Sequence, residues 1–238
     1  MLQVRRRIKL ESLRTHHDVT DPLLAVLGTL FAILLGFMLA NAMQRFEAAR
    51  INIEQEAGAV GDIFRIADGL PEKSSGPLRK GCLDYLNLVV DEEYTLMQKG
   101  KFSEHAWNVY GDLWHDCVHF QPQTQAESNL HQELVGAMAR VGECRRTRYA
   151  QLHYCLPTPL WCILIFGGLC TIGFTYFFAV EDIKLQIAMT SVITSIICLN
   201  IYMLAGFDAP FSGDIAIAPT AFATMRETMQ RVVNKTYK

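Results

Sequence analysis

The residues best placed for metal chemistry are His115 and His119, four apart with Asp116 and Cys117 between them. On a helix both imidazoles would reach one ion. The spacing fixes no third ligand, and neither an HExxH motif nor a CxxC pair occurs, so no metal or other cofactor is expected. Asp91, Glu92 and Glu93 could hold a hydrated cation, but such a run ordinarily marks a solvated helix face. Walker, GxGxxG and GxSxG motifs are absent, and nothing supports an enzyme. Uncharged polar residues offer different chemistry. Gln186, Thr190, Ser191, Thr194, Ser195, Cys198 and Tyr202 fall within one half of a helix at about 100° per residue. Inside a membrane such a face either bonds back and packs, or lines a water-filled pore. Phe31 and Phe37 would serve as a hydrophobic constriction, or simply pack or face lipid. Asp208 and Asp214 flank Pro210 and Gly213. Repeated around an oligomer they would make an acidic ring at a membrane exit; otherwise they are turn chemistry. Gly28, Ala32, Gly36 and Ala40 recur every four residues, a ladder that lets another helix approach, within one subunit or between subunits.

These residues need membrane helices to position them. Crossing a hydrocarbon core of about 30 Å takes about 20 apolar residues. Three uncharged or nearly uncharged blocks meet that length: 22–43, 159–180 and 187–207. Only residues 181–186 separate the second from the third, which makes them an antiparallel hairpin. Trp161, Tyr176 and the Phe177–Phe178 pair sit near the ends of the second block, as interfacial aromatics do. No acidic or basic residue lies within the apolar core of any span, which weighs against a proton-coupled pump. The expected class is therefore all-α: an integral membrane protein with three transmembrane helices and an extramembrane helical bundle, forming a symmetric homo-oligomer in the lipid bilayer.

The rest of the chain divides around those spans. Residues 1–21 form a basic amphipathic segment, 44–156 an extramembrane helical domain, and 208–238 a turn and an amphipathic C-terminal helix. Phe46, Ile53, Ala57, Val60, Ile63 and Ala67 keep helical spacing, so the first span continues as one helix to Asp68, where Gly69 and Pro71 stop it. Pro77 is expected to start a second helix with Leu83, Leu86, Val90 and Met97 on one face. Ser103 caps a third to about His119, and a fourth starts near Thr124, carries Leu130, Leu134, Met138 and Val141, and runs on through Arg145, Arg146 and Arg148. The narrow apolar stripes suggest a bundle completed by other subunits.

Net charge is −2, which gives no basic field for nucleic acid. Cys162, Cys170 and Cys198 lie in spans; Cys82, Cys117, Cys144 and Cys155 lie outside and could pair in an oxidising compartment. Arg5, Arg6, Arg7, Lys9 and Arg14 precede the first span and favour a cytoplasmic N-terminus in a multi-pass inner-membrane protein. Arg45, Arg50, Arg145, Arg146 and Arg148 near the membrane on the other side argue the opposite.

Several stretches carry a resemblance. They are HHDV (16–19) with LLAVLGTLFAILLGF, EQEAGAV (54–60) with GLP (69–71), and VDEEY (90–94) followed by MQKG. LPTPLW (156–161), GFTYFFAVEDIKLQ (173–186) and DAPFSGD (208–214) complete the series. In order and spacing the chain resembles the bestrophin-like family from about His16 onward. Members usually carry one more span ahead of the HHDV-like segment, so three spans are expected here in place of four. The resemblance implies a likeness to pentameric bestrophin ion channels, with a cytosolic helical domain and inorganic ions as partners; it is a fold-level analogy. The functional expectation is an ion-conducting pore lined by transmembrane helices. The alternative is a non-conducting scaffold or sensor whose helical domain binds a partner.

Overall fold

A computed structural model of the chain describes residues 17–177 and 182–236. Every described element is helical. In chain order they are α1 (His17–Ala67), α2 (Glu72–Leu88), a π-helical turn (Val89–Glu93), α3 (Tyr94–Met97), α4 (Glu104–His119) and α5 (Gln125–His153). Then come α6 (Thr158–Phe174) with a 3-10 turn (Thr175–Phe177), α7 (Ile183–Asp208) and α8 (Thr220–Thr236). The basic segment with Arg5, Arg6, Arg7, Lys9 and Arg14, and the linker residues Phe178–Glu181, lie outside the described residues. The chain divides into two compact units: residues 1–45 with 155–208, and residues 46–154 with 209–238.

The first unit is the membrane unit. α1 and α7 are each long and apolar enough to cross a bilayer. α6 has 17 residues; with its 3-10 turn it reaches roughly 30 Å, the thickness of a hydrocarbon core. Residues 158–177 carry no charge, which makes α6 the candidate for a third span. Phe31, Leu35, Met38 and Ala42 line one side of α1 at four-three-four spacing. They pack with Leu164 of α6 and with Ile197 and Leu204 of α7. The Phe31 ring seats itself on α6 only because glycine is there: a Cβ at Gly167 would stand 2.8 Å from its Cδ2. Leu30, Phe37, Phe166, Leu169, Val192 and Leu199 point outward, as side chains solvated by lipid do.

The second unit is the helical domain. Pro71 starts α2, and the amides of Ser74 and Ser75 turn back onto its carbonyl at 2.8 and 3.0 Å. The helix thus begins at Glu72, ahead of the expected start, and Pro77 lies inside it. The ring is tolerated because Pro77 and Lys73 are both exposed, so the carbonyl left without an N–H partner meets water. Ser103 caps α4 through the Ala106 amide, 3.1 Å from its Oγ. Thr124 caps α5 through the Glu127 amide at 3.2 Å, while the Glu127 carboxylate accepts the Gln123 amide at 2.7 Å. The two bonds together form a reciprocal cap.

This unit closes its core within one chain. Ile53, Ile63, Tyr85, Leu86, Leu113, Leu134, Met138 and Val141 meet Phe222 and Met229 of α8. α8 supplies one face of that core. It lies so close to α1 that a Cβ at Gly61 would stand 2.7 Å from the Met225 methyl. Because α8 belongs to the same unit as α2 to α5, the segment 155–208 leaves that unit and returns to it. An antiparallel pair of spans does just that.

Candidate functional site

The helical domain holds four ionised side chains in its core. On α1 the buried stripe runs Ala49, Ile53, Val60, Ile63 and Ala67, and Glu56 occupies one of its positions with no exposed surface. On α5 the stripe Leu134, Met138, Val141 continues at the same spacing into Arg145 and Arg148, 1 % and 0 % exposed. Glu93, also fully buried, is delivered by the π-helical turn. A π turn holds one residue more than an α turn, which rotates the succeeding residues by about 100°. Along this turn Asp91 faces out and takes Arg226 Nη1 at 2.9 and 3.1 Å. Glu92 accepts the Ser103 hydroxyl and lies 3.5 Å from His105 Nδ1. Glu93 turns inward. The acidic run is thus a solvated face at Asp91 and Glu92, each paired while still open to solvent, and departs from it only at Glu93.

The four charges pair closely. Arg145 donates to both Glu93 oxygens at 3.0 and 2.7 Å and to the Tyr85 hydroxyl at 3.0 Å. Arg148 grips Glu56 through Nε and Nη2, both at 2.8 Å. Its Nη1 lies 2.7 Å from Glu93, and 3.1 Å from Met97 Sδ. The Tyr85 hydroxyl donates a hydrogen bond to Glu56. Two positive and two negative groups cancel. Burial alone would lower the arginine pKa values. The fields of Tyr85 and Glu93 at Arg145, and of Glu56, Glu93 and Tyr85 at Arg148, outweigh it, so both stand above the ordinary arginine value. Burial, reinforced by the Glu56 charge, pushes the Tyr85 hydroxyl up. Every carboxylate oxygen here already accepts a donor, so the cluster has no spare base or nucleophile. Its capacity is structural: it ties α1, α2, the π turn and α5 at one point. By residue type Arg145 and Arg148 read as membrane-flanking charges. The signal that places them otherwise is their position on the apolar stripe of α5.

His115 and His119 do face the same way, with ring centroids 3.9 Å apart. His119 Nδ1 is engaged with the His115 carbonyl at 2.9 Å. Among the described residues no group of three or more His, Cys, Asp or Glu is arranged to hold a metal. All seven cysteines are free thiols. Burial raises the Cys82 thiol pKa, with Cys117 adding to it, and burial pushes Cys117 up to about 12.

In the membrane unit the singled-out polar residues separate into two groups. Gln186 is buried and donates to the Thr175 carbonyl at 3.4 Å, and Thr190 Oγ1 lies 3.3 Å from Thr175 Oγ1. Both therefore knit α7 to the end of α6. Thr194 is half-buried, and Ser195 and Cys198 are exposed. Phe31 is buried, whereas Phe37 is 73 % exposed, so the two phenylalanines are not brought together. Ala32, Gly36 and Ala40 are exposed and Gly28 half-buried. Among the described residues, no atom beyond the helix's own nearby backbone and the flanking residues lies within 4 Å of a Cβ built at Gly28 or Gly36. Asp208 accepts the Leu156 amide at 3.0 and 3.1 Å and pairs with Arg45 at 3.1 Å. Its carboxylate is thus committed inside the unit, while Asp214, beside Gly213 at φ 85°, is exposed.

The sequence and fold have known relatives. A family model described as Bestrophin-like domain matches residues 1–222. No curated protein matches the sequence. Three similar solved structures are of a bacterial Bestrophin homolog from Klebsiella pneumoniae. One single-residue variant is 13% identical, with 93% of each chain covered and a TM-score of 0.73. A second variant is 14% identical, with 94% of this chain and 95% of that one covered and a TM-score of 0.70. A structure of the homolog solved by Zn-SAD phasing is 13% identical, with 93% of each chain covered and a TM-score of 0.63. At such identity the likeness is one of fold.

Proposed function

This chain belongs to the bestrophin-like family, and from that premise we propose that copies of it assemble around an axis in the membrane as an ion-conducting homo-oligomer. The observation that carries this reading is the open face of α1. Its other face is filled by α6 and α7, yet Ala32, Gly36 and Ala40 lie uncovered beside Phe37. Small residues let helices of neighbouring copies approach closely, and a ring of exposed phenylalanines is a hydrophobic constriction of the kind that gates by dewetting. Ser191, Thr194, Ser195 and Cys198 remain polar residues available to a pore, since Gln186 and Thr190 are engaged with α6. Asp208 is held by the Leu156 amide and Arg45, which makes it less available to an acidic ring at the exit.

Purified protein in planar bilayers is expected to show unitary currents, with Phe37→Ala raising open probability and Gly36→Leu abolishing assembly on native mass spectrometry. Silent membranes containing the intact oligomer, across varied salt, voltage and pH, would refute conduction.

We place the N-terminus on the cytoplasmic side of the inner membrane, on the basic residues that precede the first span. Arg145 and Arg148 are consumed by the domain core, and Arg50 pairs with Glu47 and Glu54, which weakens the opposing basic cluster. A reporter fused ahead of Met1 that is active only outside the cytoplasm would reverse this. A non-conducting sensor is the second reading, favoured by the exposed Trp107 and Tyr149 of the helical domain.

A further inference from the structure

We propose that the helical domain binds a small aromatic carboxylate in a cleft between the start of α4 and the end of α5. The cleft has a volume of about 750 Å³ and is walled by Phe102, Trp107 and Tyr149, with Arg145 at its base and Arg146 at its rim. Such a volume suits a ring-sized ligand with room for solvent. Phe102 and Tyr149 lie with ring centroids 5.2 Å apart, and Trp107 is 52 % exposed. Aromatic walls of this kind, left uncovered outside the membrane, favour a flat apolar body.

Arg145 identifies the polar end of the ligand. A guanidinium has five N–H donors. The Nη atoms of Arg145 are spent on Glu93 and Tyr85. Its Nε is buried and has no hydrogen-bond partner, although the residue as a whole is only 1 % exposed. A buried donor without an acceptor is rare in folded proteins. The Arg145 Cζ lies 5.2 Å from the Trp107 ring centroid and 5.8 Å from that of Phe102, so the acceptor it lacks is one a ligand would bring by parting these two rings.

Two further features favour an acceptor with negative charge. The exposed Arg146 guanidinium stands at the rim, and the N-terminus of the 16-residue helix α4 begins there at Ser103 and Glu104. Glu93 already neutralises Arg145, so a monoanion would be balanced by Arg146. Glu104 is the one opposing charge in the lining. The ligand that meets all of this has a flat ring and a single carboxylate. The site lies wholly within the helical domain, and the proposal is independent of conduction.

The test uses the full-length protein in detergent micelles, titrated calorimetrically with benzoate, benzamide and cyclohexanecarboxylate. Benzoate is expected to bind saturably, and both the neutral amide and the non-aromatic acid about tenfold more weakly or worse. Trp107→Ala and Arg146→Gln should each weaken benzoate about tenfold while keeping the wild-type circular dichroism, and Glu104→Gln should strengthen it. Arg145 itself is left intact, because its removal would disturb the buried ion cluster. The proposal is overturned by absence of saturable binding, by equal binding of benzoate and benzamide, or by unchanged affinity in Trp107→Ala. It is also overturned if Trp107 is shielded from an aqueous quencher in the ligand-free oligomer, because another copy then fills the cleft.

Discussion

Glu93 differs from its neighbours Asp91 and Glu92 in energetic weight as well as in direction. Removing one partner of a buried ion pair strands the other without solvent, which costs about 3–5 kcal/mol. Glu93→Gln is therefore expected to lower unfolding free energy by about that amount in denaturant titrations. Asp91→Asn should cost under about 1 kcal/mol, since Asp91 pairs with Arg226 while 65 % exposed. The buried thiols add a pH dependence. Cys117 titrates at about 12 in the folded domain against 9.0 for a free thiol, and Cys82 is also raised. The unfolded chain then loses these protons first, so the thiols' contribution is complete below pH 9.0 and fades towards about 12. Thermal melts should accordingly fall more steeply above pH 9.0 in the wild type than in a Cys82→Ala, Cys117→Ala double variant. None of the four core charges was visible by residue type, because Glu and Arg ordinarily signify surface. They were visible by position. Glu56 falls on the stripe of Ile53 and Val60, and Arg145 and Arg148 extend that of Met138 and Val141. Two inward acids matched by two inward bases mark an internal cluster.

Helices announce themselves through their ends and their period, and here most did. Ser103 and Thr124 cap α4 and α5 where side-chain chemistry places them, and both membrane-crossing helices with long apolar runs follow from length alone. Two features escaped. Pro77 looked like a helix start because Pro favours the first turn, yet Pro71 had already begun α2. The π turn at Val89–Glu93 leaves no compositional trace in the sequence. Packing between elements is still less legible, since Phe31 and Gly167 are far apart in sequence and meet only after α6 folds onto α1. Gly167→Val should destabilise the membrane unit by about 1–3 kcal/mol. Adding Phe31→Leu to that variant should recover part of the loss. Detergent-resistance melts read both, and additive effects of the two substitutions would contradict direct packing.

At the scale of the chain, apolar length foretold the membrane helices, and the spacing of six motifs pointed to the family. The role of the C-terminal helix was not foretold. Residues 220–234 read as a short amphipathic helix with no stated destination, because an amphipathic face names no partner. In the structure α8 places Phe222 in the domain core with 0 % exposure. Phe222→Ala is expected to cost about 3–5 kcal/mol, and limited proteolysis should then cut within the helical domain while the membrane helices stay protected. The two units also set the limits of additivity. Substitutions at Phe222 and at Gly167 share no partner, so their effects should add.

The buried ion cluster also sets an order of events during synthesis. Glu56 and Arg148 are 92 residues apart in the chain, and Glu93 and Arg145 are 52 apart. At roughly 5–20 residues per second, Glu56 waits on the order of 5–20 s for its counter-charge to leave the ribosome. Through that interval the nascent domain holds two carboxylates and no buried base, and a core closed around them would trap uncompensated charge. The domain must stay open until α5 emerges. The next segments to be made are α6 and α7, and α8, whose Phe222 and Met229 complete the core, follows them, so the membrane segments emerge before the domain can close fully.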